Sequence, residues 1–366
     1  MKKFISAILL LILCLGTAGC KSEKSEQSQS GSQENFDIKI AANILDSYMK
    51  VIQSGDEKSA EKFYGDELAK NKITSSNTDL KIQGYKTEEI NEVGKSGVFK
   101  VKVVKSVSNK PLTLLDDYNI KIESVKNEYK ITNIESNNNK EAFVEDNAIR
   151  LRSKNEVKNN LVMDLGGLPK YAYPSEDMAK LNKVLVPKDR FGMMCFDYSG
   201  EKIAITTNAG DNYLGVIKID ESMSQSGQGG SSGGGGSAGG SSGSSGGSAV
   251  NIKEPPIGKE IVSLDIIKNS SIDLMNFSLE EKSIVVQFKN SSKATAIRLY
   301  DADTGEISDY DFEKNFSSDK FDVLFSSFDK EVLNFEVKDR GNAGKGNADK
   351  IGKWQLSLKE MKAKKI

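Results

Sequence analysis

The chain of 366 residues contains no histidine. That absence excludes Ser-His-Asp and Cys-His catalysis, histidine-ligated zinc and imidazole pH switching. Cysteine is scarce, with three residues in all: Cys14, Cys20 and Cys195. Cys14 lies inside a short N-terminal apolar run and Cys20 just behind it. If that run is removed as a leader and Cys20 is modified, Cys195 stands alone and no intramolecular disulfide can form. Long apolar runs are also missing. The longest, Phe4 to Leu15, is 12 residues, too short to span a bilayer as a stable helix. Neither charge sign dominates. Of 51 basic side chains, Lys2 and Lys3 leave with a leader, and the remaining 49 face 52 acidic ones. A near-neutral chain lacks the concentrated cations that neutralise phosphates, which argues against nucleic acid as a partner.

The N-terminus has the three parts of a secretory signal: Lys2 and Lys3, the apolar run, then small residues ending in Thr17-Ala18-Gly19-Cys20. This arrangement resembles the bacterial lipobox, with Thr17 where Leu or Val is usual. The resemblance implies that residues 1–19 are a lipoprotein signal peptide and that Cys20 is diacylated. The membrane then becomes a partner through that lipid, and the rest of the chain is extracytoplasmic. Acyl chains contribute about 0.8 kcal/mol per buried methylene, so two or three would anchor the protein without a transmembrane helix. Residues 20–35, rich in Ser, Gln, Lys and Glu, read as a disordered tether.

From Asp37 the pattern is helical. Ala41, Ile44, Leu45, Tyr48, Met49 and Ile52 recur at steps of three and four, and Ser54-Gly55 ends the run. Asp56 offers an N-cap for a second helix holding Ala60, Phe63, Tyr64 and Leu68. Alternating strands follow: Phe99/Val101/Val103, Tyr118/Ile120/Ile122 and a shorter run of Tyr129, Ile131 and Ile134, with the turn at Asn127-Glu128. Two helices on a bent antiparallel sheet resemble the nuclear-transport-factor-two-like, or cystatin-like, cone fold. The expected fold class is therefore α+β, with a cone domain over residues 36–137 and a boundary at the polar turn Ser136–Lys140.

Beyond that boundary a repeat is expected to form an all-β domain. FDYSGEKIAI starts at Phe196, FSLEEKSIVV at Phe277 and FSSFDKEVLN at Phe325, with Ile203, Ile284 and Val332 seven residues on. A second strand follows each copy, after an insertion, GNAGKGNADKIGK, in the third. A fainter copy is read at Ala148–Leu151 and Leu161–Leu165. The phrase resembles the blade repeat of bacterial β-propellers, with Tyr300–Glu306 as an outer hairpin. Three or four copies leave both a closed propeller and an open β-meander available. The β domain would run over 138–223 and 250–362. The Gly/Ser-rich segment 224–249, a coil spanning roughly 28 Å, is either a surface loop or a linker.

Candidate sites are few. Asp116, Asp117 and Tyr118 are the candidates for a cone mouth, though adjacent strand residues point to opposite faces. Pro169, Tyr171, Tyr173 and Pro174 form a stiff amphipathic stretch and the best candidate binding surface. Asp301, Asp303 and Glu306 invite a calcium reading, but Gly305 falls where an EF-hand needs a ligand, so a tight turn is expected. Cys195, among apolar residues, reads as a buried, inert thiol. The Ser-x-x-Lys motifs at Ser199, Ser317 and Ser327 all lie after the only Lys-Ser-Gly, at Lys95, the reverse of a transpeptidase's order, so these three serines are not read as its nucleophile. No cofactor or metal is implied. The expectation is a lipid-anchored, non-catalytic binding or scaffold module whose partner is an envelope or wall protein. The alternative is a solute-binding receptor, or an enzyme working without histidine, with a pocket in the cone or the β domain.

Overall fold

Asp37 accepts a hydrogen bond from the Lys39 N–H at 2.8 Å and caps α1 (Ile38–Gln53). Gly55, at φ +80°, ends it in the left-handed region. The expected apolar stripe is the face the helix buries, through Ala41, Leu45, Tyr48 and Met49. In this computed structural model the described residues are 36–70, 79–177, 179–208, 210–223, 254–341 and 344–366. The leader, Cys20, the tether and the Gly/Ser segment lie outside them. Phe36–Ile366 forms one compact unit. Among the described residues no helix is long and apolar enough to cross a membrane.

The expected second helix is broken into α2 (Glu57–Ala60), a 3-10 turn at Glu61–Phe63, and α3 (Asp66–Lys70). Tyr64 is extended instead and bridges Ile131, and the Gly65 N–H donates to the Ile131 carbonyl at 2.8 Å. Main-chain pairing with the sheet outweighs helical periodicity there.

Six antiparallel strands follow in sequence order: β1 (Lys81–Val93), β2 (Ser96–Ser106), β3 (Leu112–Val125), β4 (Glu128–Glu145), β5 (Ala148–Ser153) and β6 (Asn160–Asp164). Phe99, Val101, Val103, Ile120, Ile122 and Ile131 pack beneath α1. Ile131 and Ile134 are three apart, against the two-residue period, because a bulge skips Thr132 between their partners Ile122 and Ile120. The turn before β4 is Lys126-Asn127, both at positive φ, one residue earlier than expected. The opposite face, with Val104, Leu115, Ala142, Ile149 and Leu151, enters a second and larger core. The polar stretch Ser136–Lys140, expected as a turn and domain boundary, is strand: Asp117, Asp116 and Leu115 of β3 pair with Asn137, Asn138 and Lys140. Polar side chains are tolerated because the ladder is made by main-chain groups. Consequently β5 and β6, read as a faint repeat copy, extend the N-terminal sheet.

A small hairpin, β7 (Tyr171–Ala172) with β8 (Val184–Leu185), leads to three β-meanders. The first holds β9 (Arg190–Phe196), β10 (Lys202–Asn208), β11 (Asn212–Ile219) and β12 (Gly258–Ile267). β11 and β12, the strands before and after the Gly/Ser segment, pair with each other. The second holds β13 (Ser271–Phe277), β14 (Ser283–Lys289) and β15 (Thr295–Asp301). The third, reached through α4 (Phe312–Asn315), holds β16 (Phe321–Asp329), β17 (Val332–Asp339), β18 (Gly352–Ser357) and β19 (Lys362–Lys365).

Two repeat copies coincide in register. Phe196 faces Ile203 and Phe277 faces Ile284. The same turn closes both, with Asp197 N–H bound to Lys202 O at 3.0 Å and Ser278 N–H to Ser283 O at 2.8 Å. The third copy departs: Phe325 faces Phe335, and Val332 faces Asp329 across the two-residue turn Lys330-Glu331. Its turn is tighter, so the seven-residue spacing does not mark a cross-strand pair there. Side chains of β14–β17 and α4 build a third core, rich in edge-to-face aromatic contacts such as Phe312–Phe335.

Candidate binding groove

Two opposite charges interrupt apolar stretches of two strands. Asp265 lies between Leu264 and Ile266 on β12, and Arg298 between Ile297 and Leu299 on β15. Asp265 is fully buried. A buried carboxylate persists only when hydrogen-bonded. Here Asp265 accepts from Arg298 Nη1 at 2.7 Å, Tyr300 Oη at 2.6 Å, Ser175 Oγ at 2.6 Å, and the N–H groups of Ser175 and Ile266, each at 2.7 Å. Burial, together with the Asp265 carboxylate beside it, pushes the Tyr300 phenol well above its usual range. Arg298 Nη2 reaches out to Glu176 at 3.0 Å, and the guanidinium lies 5.4 Å from the Phe288 ring centre.

This network pins the segment after Pro174 against the second meander and fixes one wall of a groove of about 900 Å³. Ser175, Glu176, Lys268, Arg298, Tyr310, Lys314 and Ser318 are among the residues that line it. The rim carries both charge signs over a floor of nearly buried apolar groups, Phe288, Ile297 and Phe312 among them. Such a lining suits a polar ligand of mixed charge with an apolar portion, held by hydrogen bonds and ion pairs.

The sequence candidates fall elsewhere. Asp116 is buried against Lys105 at 2.5 Å and accepts from Asn138 Nδ2 at 2.9 Å, while Asp117 pairs with Lys102 at 2.6 Å. Tyr118 lies under the Lys105 ammonium at 5.1 Å. The structure does not bring the two aspartates together; each is neutralised by its own lysine. Tyr171 is exposed, Tyr173, Pro169 and Pro174 are partly buried, and none of these four lines the groove, although Ser175 and Glu176 beside them do. Asp301 Oδ1 accepts from the Asp303 and Thr304 N–H groups at 2.9 and 2.8 Å, and Asp303 pairs with Lys202 at 2.7 Å. Those carboxylates thus close a turn, and among the described residues no acidic, histidine or cysteine group is arranged to hold a metal. Cys195 is buried, and burial pushes its thiol well above the usual range.

Sequence reasoning missed Arg298, Asp265 and the groove. The available signal was a single charge, of opposite sign in the two cases, inside each of the short runs Leu264–Ile267 and Ala296–Tyr300.

No family model matches the chain, and neither does any curated protein. Among solved structures, TolB from Acinetobacter baumannii is 6% identical, with 66% of this chain and 57% of that one covered at a TM-score of 0.24. A structure from a study of two prolyl endopeptidases is 8% identical, with 89% of this chain and 52% of that one covered, also at 0.24. This chain therefore spans little more than half the length of either.

Proposed function

We propose that the protein is a lipid-anchored extracytoplasmic binding module, non-catalytic, that holds a polar envelope component in the groove beside Arg298. The groove is the observation that carries this reading, because its charged wall is fixed before any ligand arrives. The buried Asp265 network holds Arg298 and Ser175 in place, which cuts the ordering cost of binding. Arg298 stays protonated at any working pH and so cannot act as a proton acceptor, and no imidazole exists to activate Ser175. Binding accounts for these groups without a reaction. Within this reading, α1 on β1–β4 is a cone-type, cystatin-like layer, the meanders are propeller-like blades, Cys20 carries the lipid, and the partner is an envelope or wall protein. Nucleic acid has no place in it.

The test places a photoreactive amino acid at Tyr310 or Asn290, both on the groove, and at fully exposed Val157 as control, in cells fed labelled palmitate. Expected are acyl label lost on Cys20→Ala, and one envelope adduct formed from groove positions alone. Adducts that do not distinguish groove from Val157 would overturn the groove reading. Absence of acyl label would overturn the anchor.

A further inference from the structure

The hairpin of β7 and β8 presents an apolar surface that the groove does not use. Tyr171 faces Leu185 and Ala172 faces Val184 across the pair. Ala172 and Val184 point into the core. Tyr171 and Leu185 therefore share the outer face, where they remain 45% and 63% exposed, and Leu181 in the connecting loop is 79% exposed. No other stretch of the described residues exposes three large apolar side chains so close together in sequence.

Its charge is basic. Between Leu168 and Lys188 the chain carries Lys170, Lys180, Lys183 and Lys188 against Glu176 and Asp177. Both acids are engaged, Glu176 with Arg298 and Asp177 with the Asn182 N–H. Lys188 donates to the Leu168 carbonyl at 2.6 Å. Lys170, Lys180 and Lys183 are exposed and set the charge of the surface. Two of them lie near the tyrosines, with Lys170 Nζ 5.3 Å from the Tyr171 ring centre and Lys183 Nζ 5.8 Å from that of Tyr173.

The hairpin is held firmly. Val186 N–H donates to Lys170 O at 3.1 Å, Thr207 Oγ1 donates to Pro187 O, and Ser175 is locked to Asp265. A rigid projection loses little entropy on docking.

We propose that this hairpin docks on an anionic lipid surface, with Tyr171, Leu181 and Leu185 entering the headgroup region and Lys170, Lys180 and Lys183 meeting lipid phosphates. Tyrosine at the interface, leucines below it and lysines with snorkelling stems are the chemistry of that boundary. Lysine is depleted from protein–protein interfaces, which sets a protein occupant aside. Acyl chains on Cys20 would hold the protein at the membrane, and the hairpin would fix which face meets it.

The test uses the complete lipidated protein in vesicles of phosphatidylcholine with and without phosphatidylglycerol. An environment-sensitive fluorophore is attached at Ala179→Cys, in the hairpin loop, or at Val157→Cys. Cys195 is buried and stays unlabelled. Nitroxide lipid is expected to quench the label at 179 only when phosphatidylglycerol is present, and to leave 157 unaffected. Quenching at 179 should fall about tenfold on Leu181→Ser with Leu185→Ser. It should be lost, on the order of a hundredfold weaker docking, on Lys170→Glu with Lys180→Glu and Lys183→Glu. All these positions are exposed, and unchanged thermal melts verify folding. Equal quenching at both positions, or quenching at 179 indifferent to phosphatidylglycerol and to the variants, would overturn the proposal. So would a protein crosslinked to the hairpin with no lipid quenching. If Cys20 proves unacylated, the same quenching is read on Cys20→Ala chain added to preformed vesicles, so failure of the anchor and failure of the docking are separate results.

Discussion

Replacing Asp197 by Asn should stabilise the protein at alkaline pH and leave it unchanged in acid. Asp197 closes the turn between β9 and β10 and is fully buried. Its Oδ1 accepts from the Glu201 and Lys202 N–H groups at 3.0 and 3.1 Å, and its Oδ2 accepts from Ser199 Oγ at 2.8 Å. These bonds favour the charged form, but burial outweighs them and pushes the carboxyl up from 3.8 to about 6. Between roughly pH 4 and 6 the folded chain then binds more protons at this site than the unfolded chain does. Stability contributed here falls as pH rises through that window, and the penalty persists above it. About two pH units at 1.36 kcal/mol each amount to roughly 3 kcal/mol.

Asparagine keeps the acceptor for Glu201 and Lys202 and can donate to Ser199, yet carries no charge to bury. The expected gain is therefore about 1–3 kcal/mol at pH 8, the lower end allowing for weaker neutral hydrogen bonds, and close to zero at pH 4. Urea unfolding of both proteins at the two pH values measures it, since titration elsewhere cancels in the difference. A variant less stable than the parent at pH 8, or a difference that does not change with pH, would refute the reasoning.

Asp265→Ala strips Arg298, Tyr300 and Ser175 of their shared acceptor and should cost about 3–5 kcal/mol in urea unfolding. A loss under 1 kcal/mol would mean that the network relaxes onto water. Gly305 sits at φ +80°, and an added Cβ would lie 2.2 Å from the Ser263 carbonyl oxygen. Gly305→Ala should therefore cost at least about 2 kcal/mol, combining left-handed strain with that clash; thermal melting of the variant checks it, and an unchanged midpoint counts against the close approach.

How far the sequence could be read depended on whether the deciding interaction was local. The face of α1 and the strands through Phe99–Val103 and Tyr118–Ile122 were legible because periodicity alone selects which side chains share a face. The turns at Phe196–Ile203 and Phe277–Ile284 were legible because each closes within a few residues. The second helix was misread because Tyr64 and Gly65 pair with Ile131, some 65 residues away in sequence. The boundary at Ser136–Lys140 was misread because side-chain polarity says little about main-chain pairing. For the groove the sequence held only two single charges inside apolar runs, with nothing to pair them. Asp265, Arg298 and Ser175 each look like an isolated polar residue, and they meet only when β12, β15 and the segment after β7 are packed together.

By itself the sequence determined the absence of histidine, the near-neutral charge, the lipobox-like N-terminus, the apolar face of α1 and the alternation of β2 and β3. Composition and short-range periodicity are sufficient causes of all these. Only the tertiary structure decided that β5 and β6, expected in the second domain, extend the N-terminal sheet, that Asp116 and Asp117 are spent on separate lysines, and that a buried carboxylate collects an arginine, a tyrosine and a serine from distant segments. A buried charge must find its partners wherever the fold puts them, and that requirement leaves no spacing in the chain.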